Sequence, residues 1–171
     1  MAVEVQARVP LEEYLHTSYS PDREYRDGEV VERNVGDWTH SRLQFLLSHY
    51  IAAREKQWNV LAGTELRIKV REHWYPIPDI CIYSHPAPQE RFPERPPLLW
   101  IEILSEDDRM VDVWTKAEQL IAYGVPYVWI IEPHTLKSQL WTASGAADVE
   151  DKTLRLPGTE IVIPLLEVTA Q

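Results

Sequence analysis

Two carboxylates and a lysine carry most of the chemistry legible in this chain. Asp79 follows Pro78 at the head of the apolar run Ile80-Cys81-Ile82-Tyr83, and Glu102 interrupts the apolar run from Leu98 to Leu104. A carboxylate within an apolar strand is costly to bury unless it is paired or bound to a metal, so Glu102 needs a partner. Strand alternation puts Asp79, Cys81 and Tyr83 on one face of their strand, and Trp100, Glu102 and Leu104 together on one face of the next. If those strands pair, both acids face one cavity. Mg²⁺ or Mn²⁺ takes one or two carboxylates together with waters and phosphate oxygens, which such a pair can supply. The chemistry implied is phosphodiester hydrolysis, with water acidified and charge on phosphorus neutralised. Lys116, on the following helix, is the candidate cation for offsetting negative charge at the attacking oxygen.

Blander readings stand beside these. Asp79 could be a solvated strand-edge acid, and Lys116 could form an ordinary surface pair with Asp112, four residues earlier. His40 falls in a helical stripe with Leu43, Leu47, Tyr50 and Ile51, so its ring points inward, as a satisfied core histidine or as support for the site. Arg23, Arg26 and Arg33 could contact phosphate, although scattered arginines are usually solvated surface.

The elements that must position these groups follow from periodicity and punctuation. Pro10 to Leu15 reads as a short entry helix packed as a lid on the core. Asp27-Gly28, set in residues of alternating character, marks a hairpin over 24–31. A first long helix runs from Trp38 to about Lys56. Strands are expected over Val60–Val70 and Ile77–Tyr83, separated by a break at Arg71–Pro76. Residues Ser84 to Pro97 hold five prolines and are expected to form a stiff surface loop beside the site. Leu98 to Leu104 reads as a central strand. A second helix, Met110 to Tyr123, ends at Gly124. Val125–Ile131 is a buried strand that pairs with Lys137–Thr142, and weaker strands lie near Leu154 and over Glu160–Ile163. The order α-β-β-β-α-β predicts an α/β sandwich around a central mixed sheet flanked by helices.

With 171 residues, 44% hydrophobic and 26% charged, one domain with a sizeable core is expected over the whole chain, 1–171, its core spanning about 10–165. Its 17 basic and 27 acidic residues give a net charge of −10, which argues against a tight non-specific DNA binder. Cys81 is the single cysteine, so neither a disulfide framework nor a thiolate zinc cluster is expected, and a reducing, cytoplasmic setting fits. The segment Met1 to Pro10 lacks the pattern of a secretory leader, and no run of about 18 apolar residues occurs, so no membrane association is expected. Seven tryptophans exceed what a small core requires, which raises the possibility of a homodimer.

Taken in order, Glu24-Tyr25-Arg26-Asp27-Gly28-Glu29, His40, Pro78-Asp79-Ile80, Ile101-Glu102-Ile103-Leu104-Ser105, Lys116 and the stretch from Gly124 to Pro133 resemble the Uma2 family, also known as DUF820. The resemblance covers roughly residues 10–165. It implies a restriction endonuclease-like fold of the PD-(D/E)XK nuclease superfamily and a Mg²⁺-dependent endonuclease acting on nucleic acid, DNA first. Asp79 then matches the first aspartate and Glu102 the second acid, both as metal ligands. The usual lysine two residues after that acid is absent, since Leu104 stands there, and Lys116 matches the lysine that this family carries on the next helix. Glu29 and His40 match positions recurring near the same cavity. The missing strand lysine and the negative charge leave open a non-catalytic nuclease-fold module that binds a partner or regulates one.

Overall fold

The computed structural model describes residues 8–170; residues 1–7, on which part of the reading of the amino terminus rests, and residue 171 lie outside that range. The chain runs α1 (Leu11–His16), β1 (Glu24–Arg26), β2 (Glu29–Val31), α2 (Trp38–Ala52), α3 (Glu55–Trp58), β3 (Val60–Thr64), β4 (Trp74–Tyr75), β5 (Ile80–Ser84), β6 (Leu99–Ile103), α4 (Met110–Tyr123) and β7 (Tyr127–Ile131). It finishes with β8 (Ser138–Thr142), β9 (Gly145–Asp148), β10 (Thr153–Arg155), β11 (Val162–Pro164) and α5 (Leu165–Thr169).

Six strands form a mixed central sheet in the order β3-β5-β6-β7-β8-β9. Only β6 and β7 are parallel, as the α4 crossover between them requires; the other neighbours are antiparallel. Alternation along β5 and β6 divides the core as expected. Ile80, Ile82, Leu99, Ile101 and Ile103 face Leu43, Leu47 and Ile51 of α2, while Cys81, Tyr83 and Trp100 face Ala117 and Leu120 of α4. The expected order α-β-β-β-α-β is thus α2-β3-β5-β6-α4-β7, a helix-sheet-helix sandwich.

Local chemistry explains the boundaries. Asp37 caps α2 by accepting the His40 backbone N–H at 2.8 Å. Gly124 ends α4 in the left-handed region, φ 119°, donating its N–H back to Leu120 and Ile121. Asp27 and Gly28 both take positive φ, 51° and 95°, matching the twist of the β1–β2 hairpin.

Several expectations need correction. The strand expected over Val60–Val70 stops at Thr64, because Glu65 turns left-handed at φ 53° and the chain leaves the sheet. The supposed break at Arg71–Pro76 holds β4, which pairs with β1 in a separate sheet ordered β2-β1-β4. The first long helix ends at Ala52, with α3 a separate turn, and the strand after Pro78 starts at Ile80. β9 and α5 are short elements outside the expected set. The proline-rich loop lies away from the site. It joins the far end of β5 to the start of β6, whereas Asp79 precedes β5 and Glu102 lies near the end of β6, at the opposite edge of this antiparallel pair. Among the described residues, no helix is long and apolar enough to cross a membrane.

Candidate active site

Register brings the two acids together. Ile80 pairs with Ile101 and Cys81 with Trp100, so Asp79 and Glu102 stand next in line across the β5–β6 ladder. Asp79 terminates that ladder with its side chain: Oδ2 accepts the backbone N–H of Ile103 at 2.7 Å, and the residue is 3% exposed. Both acids line one cavity of about 490 Å³, together with Glu24, Arg33, His40, Glu65 and Lys116.

Each acid is held from several directions. Arg33 donates to Asp79 Oδ1 at 2.9 Å and reaches Glu65 with its other terminal nitrogen, while His40 Nε2 lies 3.4 Å from Asp79 Oδ2. Gln44 Nε2 donates to Glu65 Oε1 at 2.8 Å and to the Asp79 carbonyl at 3.0 Å. On the next strand, Glu102 Oε1 accepts from the Trp100 indole at 2.7 Å and forms an ion pair with Lys116 Nζ at 2.6 Å. Lys116 also donates to Glu24 Oε1 at 2.8 Å, and that oxygen accepts the Ile77 N–H at 3.0 Å. The ammonium lies 5.6 Å from the centre of the Trp100 ring, a cation–π contact with a fully buried indole.

The electrostatics follow from this packing. Burial opposes ionisation of Asp79, but the His40 hydrogen bond, the Ile103 N–H and the Arg33 charge hold its carboxyl below the usual carboxylate range. His40 shifts the other way: burial disfavours its proton, yet the Asp79 carboxylate more than compensates and raises its pKa. Glu102 is pushed up to about 7 by burial, against the attraction of Lys116 and with help from the negative charges of Asp79 and Glu24. Lys116 is kept firmly protonated, because Glu102 and Glu24 outweigh its desolvation.

Four of the five sequence candidates line this cavity, and one does not. Asp79, Glu102, Lys116 and His40 converge. Glu29 lies apart, exposed beside the hairpin turn and paired in register with Arg26, while Glu24 sits at the other end of that hairpin, by the cavity. A two-residue turn places its neighbours at the tip, so the acid nearest Asp27-Gly28 points to solvent and the one further back reaches inward. Glu24, Glu65 and Gln44 were not singled out from sequence. Glu24 had a signal, alternation with the buried Tyr25; Glu65 and Gln44 had none. Of the three arginines, only Arg33 enters the cavity: Arg23 pairs with Glu32, and Arg26 bonds Gln119. Asp112, the alternative surface partner of Lys116, pairs with Arg109 instead, at 3.7 Å.

The donor set suits a hard divalent cation. Seven carboxylates, Glu24, Glu32, Glu65, Asp79, Glu102, Asp108 and Asp112, line the cavity with two permanent cations, Arg33 and Lys116, and Glu102 Oε2 receives no protein donor among the described residues. In the structure Arg33 and Lys116 occupy carboxylate oxygens that such a cation would use. A separate exposed group, Asp37, Glu106 and His134, brings potential ligand atoms within 4.8 Å of one another; it includes neither Asp79 nor Glu102.

Comparison with known proteins agrees with this architecture. The chain is similar to the crystal structure of "a putative nuclease belonging to DUF820" from Anabaena variabilis, with 21% identity, a TM-score of 0.79, and coverage of 95% of this chain and 98% of that one. Among curated proteins, none matches. Residues 11–170 match the family described as "Putative restriction endonuclease", and the chain therefore belongs to the Uma2 family.

Proposed function

We propose that this chain is a divalent-metal-dependent nuclease that hydrolyses phosphodiester bonds of nucleic acid, DNA in the first instance, with Asp79 and Glu102 as metal ligands. One observation carries the reading: two acids from adjoining strands line a single cavity, with Lys116 Nζ 2.6 Å from one of them. Mg²⁺ or Mn²⁺ held there would acidify water and neutralise charge on the phosphate oxygens. Lys116 stands in for the strand lysine that Leu104 replaces in sequence; its charge, paired with Glu24 and Glu102, would offset negative charge developing on a reacting oxygen. His40 acts as a positioning residue, fixing the carboxylate of Asp79 through Oδ2. The net charge of −10 means that substrate approaches without a broad cationic field, so binding should be weak and salt-sensitive. Buried, unpaired Cys81 is compatible with action in the cytosol.

Incubation of the purified protein with duplex and single-stranded DNA and RNA, with Mg²⁺ or Mn²⁺, tests this reading. Cleavage lost in both D79N and E102Q is expected; cleavage that survives either substitution refutes the assignment. A second reading, a nuclease-fold module without catalysis, is favoured by the absence of a strand lysine and by the protein cations already seated on the acids. Calorimetry separates the two, because an inert module binds neither ion. Homodimerisation is compatible with the exposure of Trp38 and Phe45 and is measurable by sedimentation.

A further inference from the structure

The two cations of the cavity are mounted differently. Lys116 springs from the middle of α4, and its ammonium is backed by Trp100. Arg33 stands on the irregular segment 32–36 between β2 and α2, so a helix fixes the origin of one side chain and a loop that of the other. The guanidinium bridges Asp79 and Glu65, and each acid has a further hydrogen-bond partner besides it. Asp79 is held by the Ile103 N–H. Glu65 is held by its own N–H on the Pro78 carbonyl at 3.2 Å and by Gln44, whose amide also binds the Asp79 carbonyl. The left-handed backbone at Glu65, φ 53°, is unusual for a residue with a side chain and turns the chain at the end of β3, beside Pro78. Two carboxylates that keep other partners, with a loop-borne cation between them, form a seat whose occupant can leave. The Arg33 side chain is 19% exposed, so a solvent ion can reach it.

We propose that Arg33 is an internal counter-ion that holds the seat between Asp79 and Glu65 in the metal-free protein and yields it to a divalent cation, with Glu65 then joining Asp79 as an oxygen ligand. This rests on the metal-binding reading above. A single positive charge is exchanged for a double one in a cavity where carboxylates outnumber protein cations, so electrostatics favour the exchange.

Calorimetric titration with Mn²⁺, without nucleic acid, tests it on the wild type, R33Q, R33K and E65Q, each checked for folding by circular dichroism. Loss of the competing charge should tighten Mn²⁺ binding in R33Q by about tenfold or more, and E65Q should weaken it by about tenfold. R33K keeps a charge but cannot span both acids, and should tighten binding a few-fold, which serves if R33Q does not fold. A folded R33Q or R33K that binds no more tightly than the wild type, or an E65Q that binds equally well, overturns the counter-ion assignment while leaving metal binding by the wild type intact. Absence of Mn²⁺ binding in the wild type and in both Arg33 variants at millimolar concentration overturns both readings.

Discussion

Replacing Lys116 by methionine isolates the electrostatic centre of the site. The ammonium serves Glu102 Oε1 at 2.6 Å and Glu24 Oε1 at 2.8 Å; without it, among the described residues, Glu102 keeps only the Trp100 indole and Glu24 only the Ile77 N–H. Removing one partner of a buried pair costs about 3–5 kcal/mol, and the partial exposure of these side chains, 16% for Glu102 and 21% for Lys116, places the loss near the lower end, about 3 kcal/mol. For a chain of this size that lowers the melting temperature by roughly 6–12 °C. The penalty depends on pH with a definite sign. Burial raises the Glu102 carboxyl from 4.5 to about 7 in the folded protein, so its contribution to stability is fully present below its unfolded value and is lost as pH rises through about 7. Without Lys116 the carboxyl rises further, and the loss extends to higher pH. At pH 5 both proteins carry a protonated Glu102 and the difference should shrink; at pH 8 it should be greatest. Thermal melts of wild type and K116M at the two values measure it. Equal melting temperatures at pH 8, or a difference at pH 5 as large as at pH 8, would refute the reasoning.

Other substitutions separate the site from its surroundings. D79N should abolish both Mn²⁺ binding and cleavage, whereas E29Q, at the exposed hairpin tip, should leave both unchanged; paired titrations and cleavage assays decide. G36A places a methyl group 2.5 Å from His40 Nδ1, so the ring must move off Asp79; it should destabilise by about 1–3 kcal/mol, and the His40 resonances should titrate at lower pH by NMR as the carboxylate recedes. I101A, fully buried on the α2 face of the sheet, should cost about 2–5 kcal/mol in denaturant melts without changing the stoichiometry of Mn²⁺ binding.

The sequence was most informative where a local rule and the tertiary fold agree. Ile80, Ile82, Leu99 and Ile101 alternate with Cys81, Tyr83 and Trp100, and the two sets face opposite layers because a strand between two helices buries both sides. The same alternation aligned Asp79 with Glu102, since one acid at each strand end falls in register. Lys116 remained ambiguous from sequence, because a helical wheel shows that it flanks the apolar stripe but not that Glu24, 92 residues earlier, meets it. That contact depends on how the β1–β2 hairpin lies across the cavity, and no local pattern encodes it. Glu65 and Gln44 were illegible for the same reason. Glu29 misled because the family pattern marks the acid after the turn, while the geometry of this hairpin brings Glu24 to the cavity. The short edge strand β9, Gly145-Ala146-Ala147-Asp148, is exposed throughout and carries no apolar alternation, so only its pairing with β8 defines it.

Anomalous diffraction from a crystal soaked in Mn²⁺ tests most directly whether Asp79 and Glu102 share one cation. The expected result is a peak in the cavity within about 2.0–2.6 Å of an oxygen from each acid, the range for hard cations on carboxylates. A peak confined to Asp37, Glu106 and His134, with none between Asp79 and Glu102, would contradict it.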